Sequence, residues 1–246
     1  MLRATLGRLA LLTSIVAFGA AAWVPAAGVP AYPPVDGAVV YRVPVAERVV
    51  ALTFDDGPRP PFTDAILDVL RDQGIVATFF LVGQNVERHP ELARRIVREG
   101  HAVCNHGWEH RALDKLSSNA AHAEIGRGAL AIRQATGVQP RILRPPFGAF
   151  DDRIRGRDGI AAKHRQTLVM WSVETRDWAT RSPREVAIGT LRRVQPGAVV
   201  LLHDGGGNRE HVVTATRWMV GHLARQGYHF VTVPRLLEMA ARGRRR

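Results

Sequence analysis

With 246 residues, 46% of them hydrophobic, the chain holds enough apolar material for one large α/β domain or two small ones, and disorder is excluded as its default state. Lys and Arg outnumber Asp and Glu by 34 to 22, a formal +12 that favours anionic partners. The arginines are nevertheless spread along the chain without the basic and aromatic interleaving that stacks bases, so nucleic acid is not an expected partner.

At the N-terminus Arg3 and Arg8 precede an apolar stretch from Leu9 to about Ala22, and small residues follow as Ala20-Ala21-Ala22 or Ala26-Ala27-Gly28. This reads as an export signal over residues 1–28, and an uncleaved anchor is the alternative because Leu9 to Gly28 approaches the roughly 20 residues a bilayer needs. The expected location is secreted or cell-envelope associated. Residues 29–45, with Pro30, Pro33 and Pro34, have the composition of an extended linker, a folded domain is expected over 46–240, and residues 241–246 form a basic tail.

The first strand is Arg48-Val49-Val50-Ala51-Leu52-Thr53-Phe54, which runs abruptly into Asp55, Asp56 and the turn Gly57-Pro58. Thr63 is placed to cap a helix carrying Ala65, Ile66, Val69 and Leu70 at helical spacing as far as Gly74. Ala77 to Val82 is a strand ended by Gly83, a helix runs from Pro90 to Gly100, and His101 to Cys104 is strand-like. Cys104 is the single cysteine, which excludes an intrachain disulfide and suits a packing role in that apolar run. A helix from about Asn119 to Ala135, a short run Ile142-Leu143 and a strand from Thr167 to Val173 come next. Ser182-Pro183-Arg184-Glu185 is a capping box opening a helix to about Arg193. A strand Ala198 to Leu202, a helix from about His211 to Arg225, a strand Tyr228 to Val233 and a helix from Pro234 finish the chain. Regular alternation with no repeat implies a single α/β domain of parallel β/α units, closed into a barrel or wound as an open sheet.

Every polar cluster falls just past the C-terminal end of a predicted strand, the edge on which β/α proteins build active sites. Asp55 and Asp56 suit a division into one metal ligand and one base. His106 and His110 stand four residues apart, one helical turn, so both can face one point, and a neighbouring strand-end Asp completes a His, His, carboxylate set suited to zinc or a similar divalent ion doing hydrolysis. The same residues spell H-x-x-E-H, the pattern of inverted zinc proteases with Glu109 as base, but Gly107 opposes the regular helix that motif requires. The prolines of Arg144-Pro145-Pro146-Phe147-Gly148 can hold Arg144 and the amide of Phe147 in fixed directions. Asp177 and Trp178 pair an acid with an aromatic, and Leu201-Leu202-His203 puts an imidazole at a strand end where Asp177 can orient it.

These five clusters, in this order, resemble the polysaccharide deacetylase family, carbohydrate esterase family 4, also called the NodB-homology domain. The resemblance covers roughly Val45 to Leu237 and implies an irregular, TIM-like (β/α) barrel that removes acetyl groups from chitin, peptidoglycan or xylan with a divalent metal, zinc or alternatively cobalt. It implies Asp55 as base, Asp56, His106 and His110 as metal ligands, Arg144 as the residue holding the base, Phe147 as the source of an oxyanion amide, and Asp177 and Trp178 as the fourth motif. Leu201 and His203 match the fifth, with His203 as the acid. Gly107 stands where the family usually has Ser or Thr, and Glu174 where Asp is commoner. On this reading Trp178 and Leu201 wall a pocket sized for a methyl group. The expected substrate is an N-acetylglucosamine glycan, peptidoglycan or chitin-like, with association to an anionic cell wall. An acetylxylan esterase and a catalytically silent glycan-binding relative are the alternatives.

Overall fold

The computed structural model describes residues 38–243. The expected export signal, the linker before residue 38 and Arg244 to Arg246 of the tail therefore lie outside the described residues. In chain order the elements are β1 (Val49–Asp55), α1 (Phe62–Asp72), β2 (Thr78–Leu81), α2 (Gly83–Arg88), α3 (Pro90–Arg98), β3 (Ala102–Asn105), α4 (Ser118–Thr136) and β4 (Ile142–Leu143). They continue with α5 (Ile160–Lys163), β5 (Thr167–Leu168), β6 (Val173–Glu174), α6 (Pro183–Leu191), β7 (Ala198–His203), α7 (Glu210–Arg225), β8 (His229–Phe230) and α8 (Val233–Gly243). None of these helices is long and apolar enough to cross a membrane.

All named strand pairs are parallel, in the order β5-β4-β3-β2-β1-β7-β6 with β8 beside β1. The two edge strands β5 and β6 are joined by residues 169–172 alone. Five residue steps reach at most about 18 Å, so the sheet has to curl until its edges nearly meet, giving the irregular barrel expected. Residues 40–43 lie across the remaining seam: Val40 bridges Val169, Arg42 bridges Ala198, and the Val43 N–H donates to the Gly197 carbonyl at 3.1 Å. This stretch falls within the segment read as linker, yet Val43 is 2% exposed and part of the core.

Strand alternation decides which side chains reach the barrel interior. On β1, Val50, Leu52 and Phe54 pack outward with Ile66, Leu70 and Val212, while Val49 and Ala51 pack inward with Phe80, Cys104, Ile142 and Val199. With both faces covered the strand is a continuous apolar run. The inward face continues through Thr53 to Asp55, which places that carboxylate at the open, C-terminal end. Val233, Leu236 and Leu237 of α8 join the interior cluster at the opposite end and close it.

Several elements depart from expectation. The run Thr167 to Val173 is two strands, because the carbonyls of Val169 and Met170 turn to the Arg144 guanidinium, at 3.2 and 2.8 Å, and leave the ladder. Gly83 starts a helix instead of ending a structured run. Its N–H and that of Gln84 donate to the Gly107 and Trp108 carbonyls, and a Cβ there would lie 2.6 Å from the Trp108 ring. Thr63 sits inside the first turn of α1, with Pro61 at the cap position, and its hydroxyl donates to the Asp204 carboxylate at 2.5 Å. The capping box is half formed: Ser182 Oγ accepts from the Glu185 N–H, but the Glu185 carboxylate takes the Thr180 hydroxyl.

Candidate active site

A cleft of about 650 Å³ opens at the C-terminal end of the barrel. Asp55, Asp56, His106, His110, Phe147, Trp178, Leu201 and His203 line it, so residues separated by up to 148 positions in sequence share one pocket. Arg144 and Asp177 stand directly behind, bonded to Asp55 and His203.

Two neighbouring aspartates face one cleft because Asp56 leaves the strand at a φ of 75°, a left-handed conformation in which a short polar side chain is tolerated. The Asn85 side chain holds the turn by donating to the Asp56 carbonyl at 2.8 Å. Asp56 Oδ1 lies 3.4 Å from His106 Nε2 and 3.0 Å from His110 Nε2, and one donor atom from each of the three falls within 4.8 Å of the others. Oδ1 is buried without a well-aligned hydrogen bond, as when donors aim at a common point instead of at each other. Ligands about 2.1 Å from a divalent ion stand about 3.0–3.4 Å apart, so the set fits such an ion. Burial alone would raise the Asp56 carboxyl, but the nearness of His106 and His110 outweighs it and holds the group well below the usual carboxylate range. It is ionised, as a ligand must be.

The two histidines do not lie one turn apart on a helix, as their spacing suggested. Residues 106–110 form a loop with left-handed backbone at Gly107 (φ 83°) and His110 (φ 61°), which removes the regular helix that an inverted zinc protease motif demands. Glu109 lies outside the cluster of three donors and accepts from Gln84 at 3.1 Å. The loop is held from behind by Glu124 of α4, 4% exposed, whose Oε1 accepts from the N–H groups of Trp108, Glu109 and Arg111 at 3.0, 2.7 and 3.2 Å. A Cβ at Gly107 would stand 2.9 Å from that same oxygen, so glycine here makes room for the carboxylate that secures the loop. Glu124 was missed in the sequence, although an acid among Ala121, Ile125 and Gly128 on the buried stripe of a predicted helix was a readable signal.

Arg144 is fully buried between the Phe80 ring, 3.9 Å from its centroid, and the Trp171 ring. Its Nη1 donates to Asp55 Oδ1 at 2.7 Å and to Thr53 Oγ1 at 2.8 Å. One carboxylate oxygen is thereby occupied and Oδ2 is left toward the cleft. The Arg144 carbonyl takes a further partner, His106 Nδ1 at 2.7 Å; a carbonyl only accepts, so Nδ1 carries the proton and Nε2 presents its lone pair. Pro145 and Pro146 then lead into Phe147, itself left-handed at φ 60° with its ring 4.4 Å from that of His110.

On the far wall, Asp177 is fully buried and accepts twice from His203, from Nδ1 at 2.8 Å and from the backbone N–H at 2.9 Å. Burial would lower the imidazole, but the Asp177 hydrogen bond and charge, with Asp55 and Asp56 beyond, raise it overall. Next to it Asp204, also fully buried, is pushed up to about 7 by desolvation, against the lowering effect of the Thr63 hydroxyl, with the charges of Asp56 and Asp55 adding to the rise. Trp178 is half exposed at the rim, and Leu201, with the neighbouring Trp171, supplies apolar wall.

Residues 42–163 match the polysaccharide deacetylase family. A peptidoglycan-N-acetylglucosamine deacetylase of Bacillus cereus is 35% identical over 201 residues, 82% of this chain and 93% of that protein. A chitooligosaccharide deacetylase of a Bradyrhizobium species is 37% identical over 204 residues, covering 77% and 90%. The crystal structure of a peptidoglycan N-acetylglucosamine deacetylase in complex with an N-oxidanyl-benzamide superposes with a TM-score of 0.77 at 33% identity, covering 80% of this chain and 92% of that one.

Proposed function

The chain belongs to the polysaccharide deacetylase family and is a polysaccharide N-deacetylase; from that premise we propose that it acts as a divalent-metal hydrolase on an N-acetylglucosamine glycan of peptidoglycan or chitin type. The observation that carries this is a base and an acid on opposite walls of one cleft, Asp55 fixed by Arg144 and His203 fixed by Asp177, with three metal-type donors between them.

Asp56, His106 and His110 would hold the ion, with zinc or cobalt suited to two imidazoles and one carboxylate. When bound, such an ion lowers the pKa of a water and polarises the acetyl carbonyl. Asp55, with only Oδ2 free, takes the proton of the attacking water. The Phe147 amide, aimed by two prolines, donates to the carbonyl oxygen as charge gathers on it. His203, whose protonated form Asp177 favours, gives its proton to the departing sugar nitrogen. That last step favours an amide substrate, because an amine leaves poorly without a proton while the alkoxide of an ester needs one less. Trp178 and Leu201 enclose the methyl group. The expected export signal agrees with a wall glycan, and we place the enzyme outside the cytoplasm on that ground. A silent relative would lack the base, a ligand or the acid, and here each position is filled by a group able to do the work.

The test is acetate release from an N-acetylglucosamine oligomer, peptidoglycan and acetylated xylan after chelation and after resupply of zinc or cobalt. The expected result is metal-dependent release from the amino-sugar substrates, falling on the order of 100-fold or more in Asp55→Asn. A clear preference for xylan, or full activity in metal-free protein verified by elemental analysis, would overturn the proposal.

A further inference from the structure

A second concavity, of about 360 Å³, lies away from the catalytic cleft, between α6 and α7. Its size falls within the range of about 300–1,000 Å³ usual for small-molecule sites. Ala187 and Gly221 make the floor, and Trp218, 48% exposed, and Ile188, 37% exposed, stand as the walls. Arg184, Arg217 and Arg225 form the rim with His222, and no carboxylate lines the groove.

Elsewhere on the surface, six arginines are neutralised by a carboxylate. Arg71, Arg94, Arg95, Arg153, Arg155 and Arg235 each pair with an Asp or Glu. Among the described residues the three rim arginines have no such carboxylate. An uncompensated cationic rim around an exposed indole is a recognition surface for an anion that also carries an apolar face: guanidinium forks take carboxylates in paired hydrogen bonds, and the flat Trp ring packs on the C–H face of a sugar.

Two further observations select a polymer. Arg217 and Arg225 are eight residues apart on α7, about 12 Å along its axis, more than one sugar ring. Trp178 stands in the loop leading into α6, and His203 ends β7 just before the loop leading into α7, so both helices that form the groove start from the catalytic rim. We propose that the α6–α7 groove is a second binding site for an acidic polysaccharide, a glycan bearing carboxylates along its length, which it holds while another part of the same strand reaches the catalytic cleft. This rests on the glycan substrate reading above. A lipid surface is the lesser fit, because the indole lies in a concave groove between helices and does not stand proud of a convex face.

The experiment uses the full chain, basic tail retained, as wild type, as Arg184→Ala/Arg217→Ala/Arg225→Ala and as Trp218→Ala. Co-sedimentation is measured with peptidoglycan before and after it is stripped of phosphate polymers, with neutral chitin and with phosphatidylglycerol vesicles, and acetate release is measured on a soluble N-acetylglucosamine pentamer. The expected result is about tenfold or greater loss of peptidoglycan binding in the triple variant and a smaller, salt-insensitive loss in Trp218→Ala. Pentamer turnover and melting temperature should stay at wild-type values. Equal sedimentation of the triple variant and wild type would overturn the site. So would a loss confined to vesicles, or one seen only on walls that keep their phosphate polymers. Absence of turnover on every amino sugar by wild type would sink the substrate reading instead, while the binding series still decides this one.

Discussion

His106 and His203 face the same cleft, and each hides its Nδ1 behind a buried partner, yet the partners differ. His106 Nδ1 meets the carbonyl of Arg144 at 2.7 Å, and His203 Nδ1 meets the carboxylate of Asp177 at 2.8 Å. A carbonyl fixes the tautomer without adding net charge, so Nε2 keeps its lone pair for a cation. A carboxylate also fixes orientation but stabilises the imidazolium, which suits a group that must donate a proton. His106 is raised as well, against burial, but through Asp55 and Asp56 across the site, charges that a bound cation offsets. On the proposed mechanism the choice of a single neighbour suits one ring to be a ligand and the other to be an acid.

The sharpest way to break the contrast is Asp177→Asn, which gives His203 a neutral partner like that of His106. A raised imidazole stays protonated to higher pH, so removing the cause should move the basic limb of the pH profile of kcat/KM downward. Activity at neutral pH should fall on the order of 100-fold with metal content unchanged. An unmoved limb would show that another group is the acid.

Glu124→Gln tests the ligand side. It removes the charge from the one oxygen that gathers three loop amides, and metal affinity should fall roughly 10- to 100-fold, read by competition with a chelator. The position of the basic limb should stay where it is. A shift of that limb with unchanged affinity would reverse the assignment of the two halves.

A third test reads stability instead of activity and turns on Asp204, whose carboxyl is pushed up to about 7. Between the ordinary carboxylate range and that value the folded state binds a proton that the unfolded state has lost. Stability of the metal-free protein should therefore decline by up to about 1.4 kcal/mol per pH unit from about pH 4 to pH 7 and then level off. Asp204→Asn lacks this slope, so its melting temperature relative to wild type should climb across that window. A constant difference would mean that Asp204 ionises normally.

That Asp55 and His203 would meet in one cleft was legible in the sequence because each ends an apolar strand with a titratable group, and such endings are rare on buried strands. The order of helices and strands was legible for the same reason, from apolar spacing. What stayed hidden depended on direction. Val169, Met170 and Trp171 look like strand, and only the demand of a buried guanidinium for carbonyls bends them out of it. The positive φ of Asp56 and His110 has no signature in residue type beyond the tolerance of Asp and His for that region. The arginines of α6 and α7 were indistinguishable by composition from those that are paired, since pairing is settled by helix faces.

The strip of residues 40–43 that spans the barrel seam bears on where this domain can be cut. The family match begins at residue 42, and a fragment started there would keep every side chain that lines the cleft while losing Val40 and its two hydrogen bonds to Leu168 and Met170. Started at residue 46, the expected domain boundary, it would leave backbone groups of Leu168, Met170 and Gly197 facing water as open edges. Open edges recruit strands from other chains. For this protein, a recombinant domain is expected to stay soluble only with residues 40–43 retained, although none of the four lines the cleft.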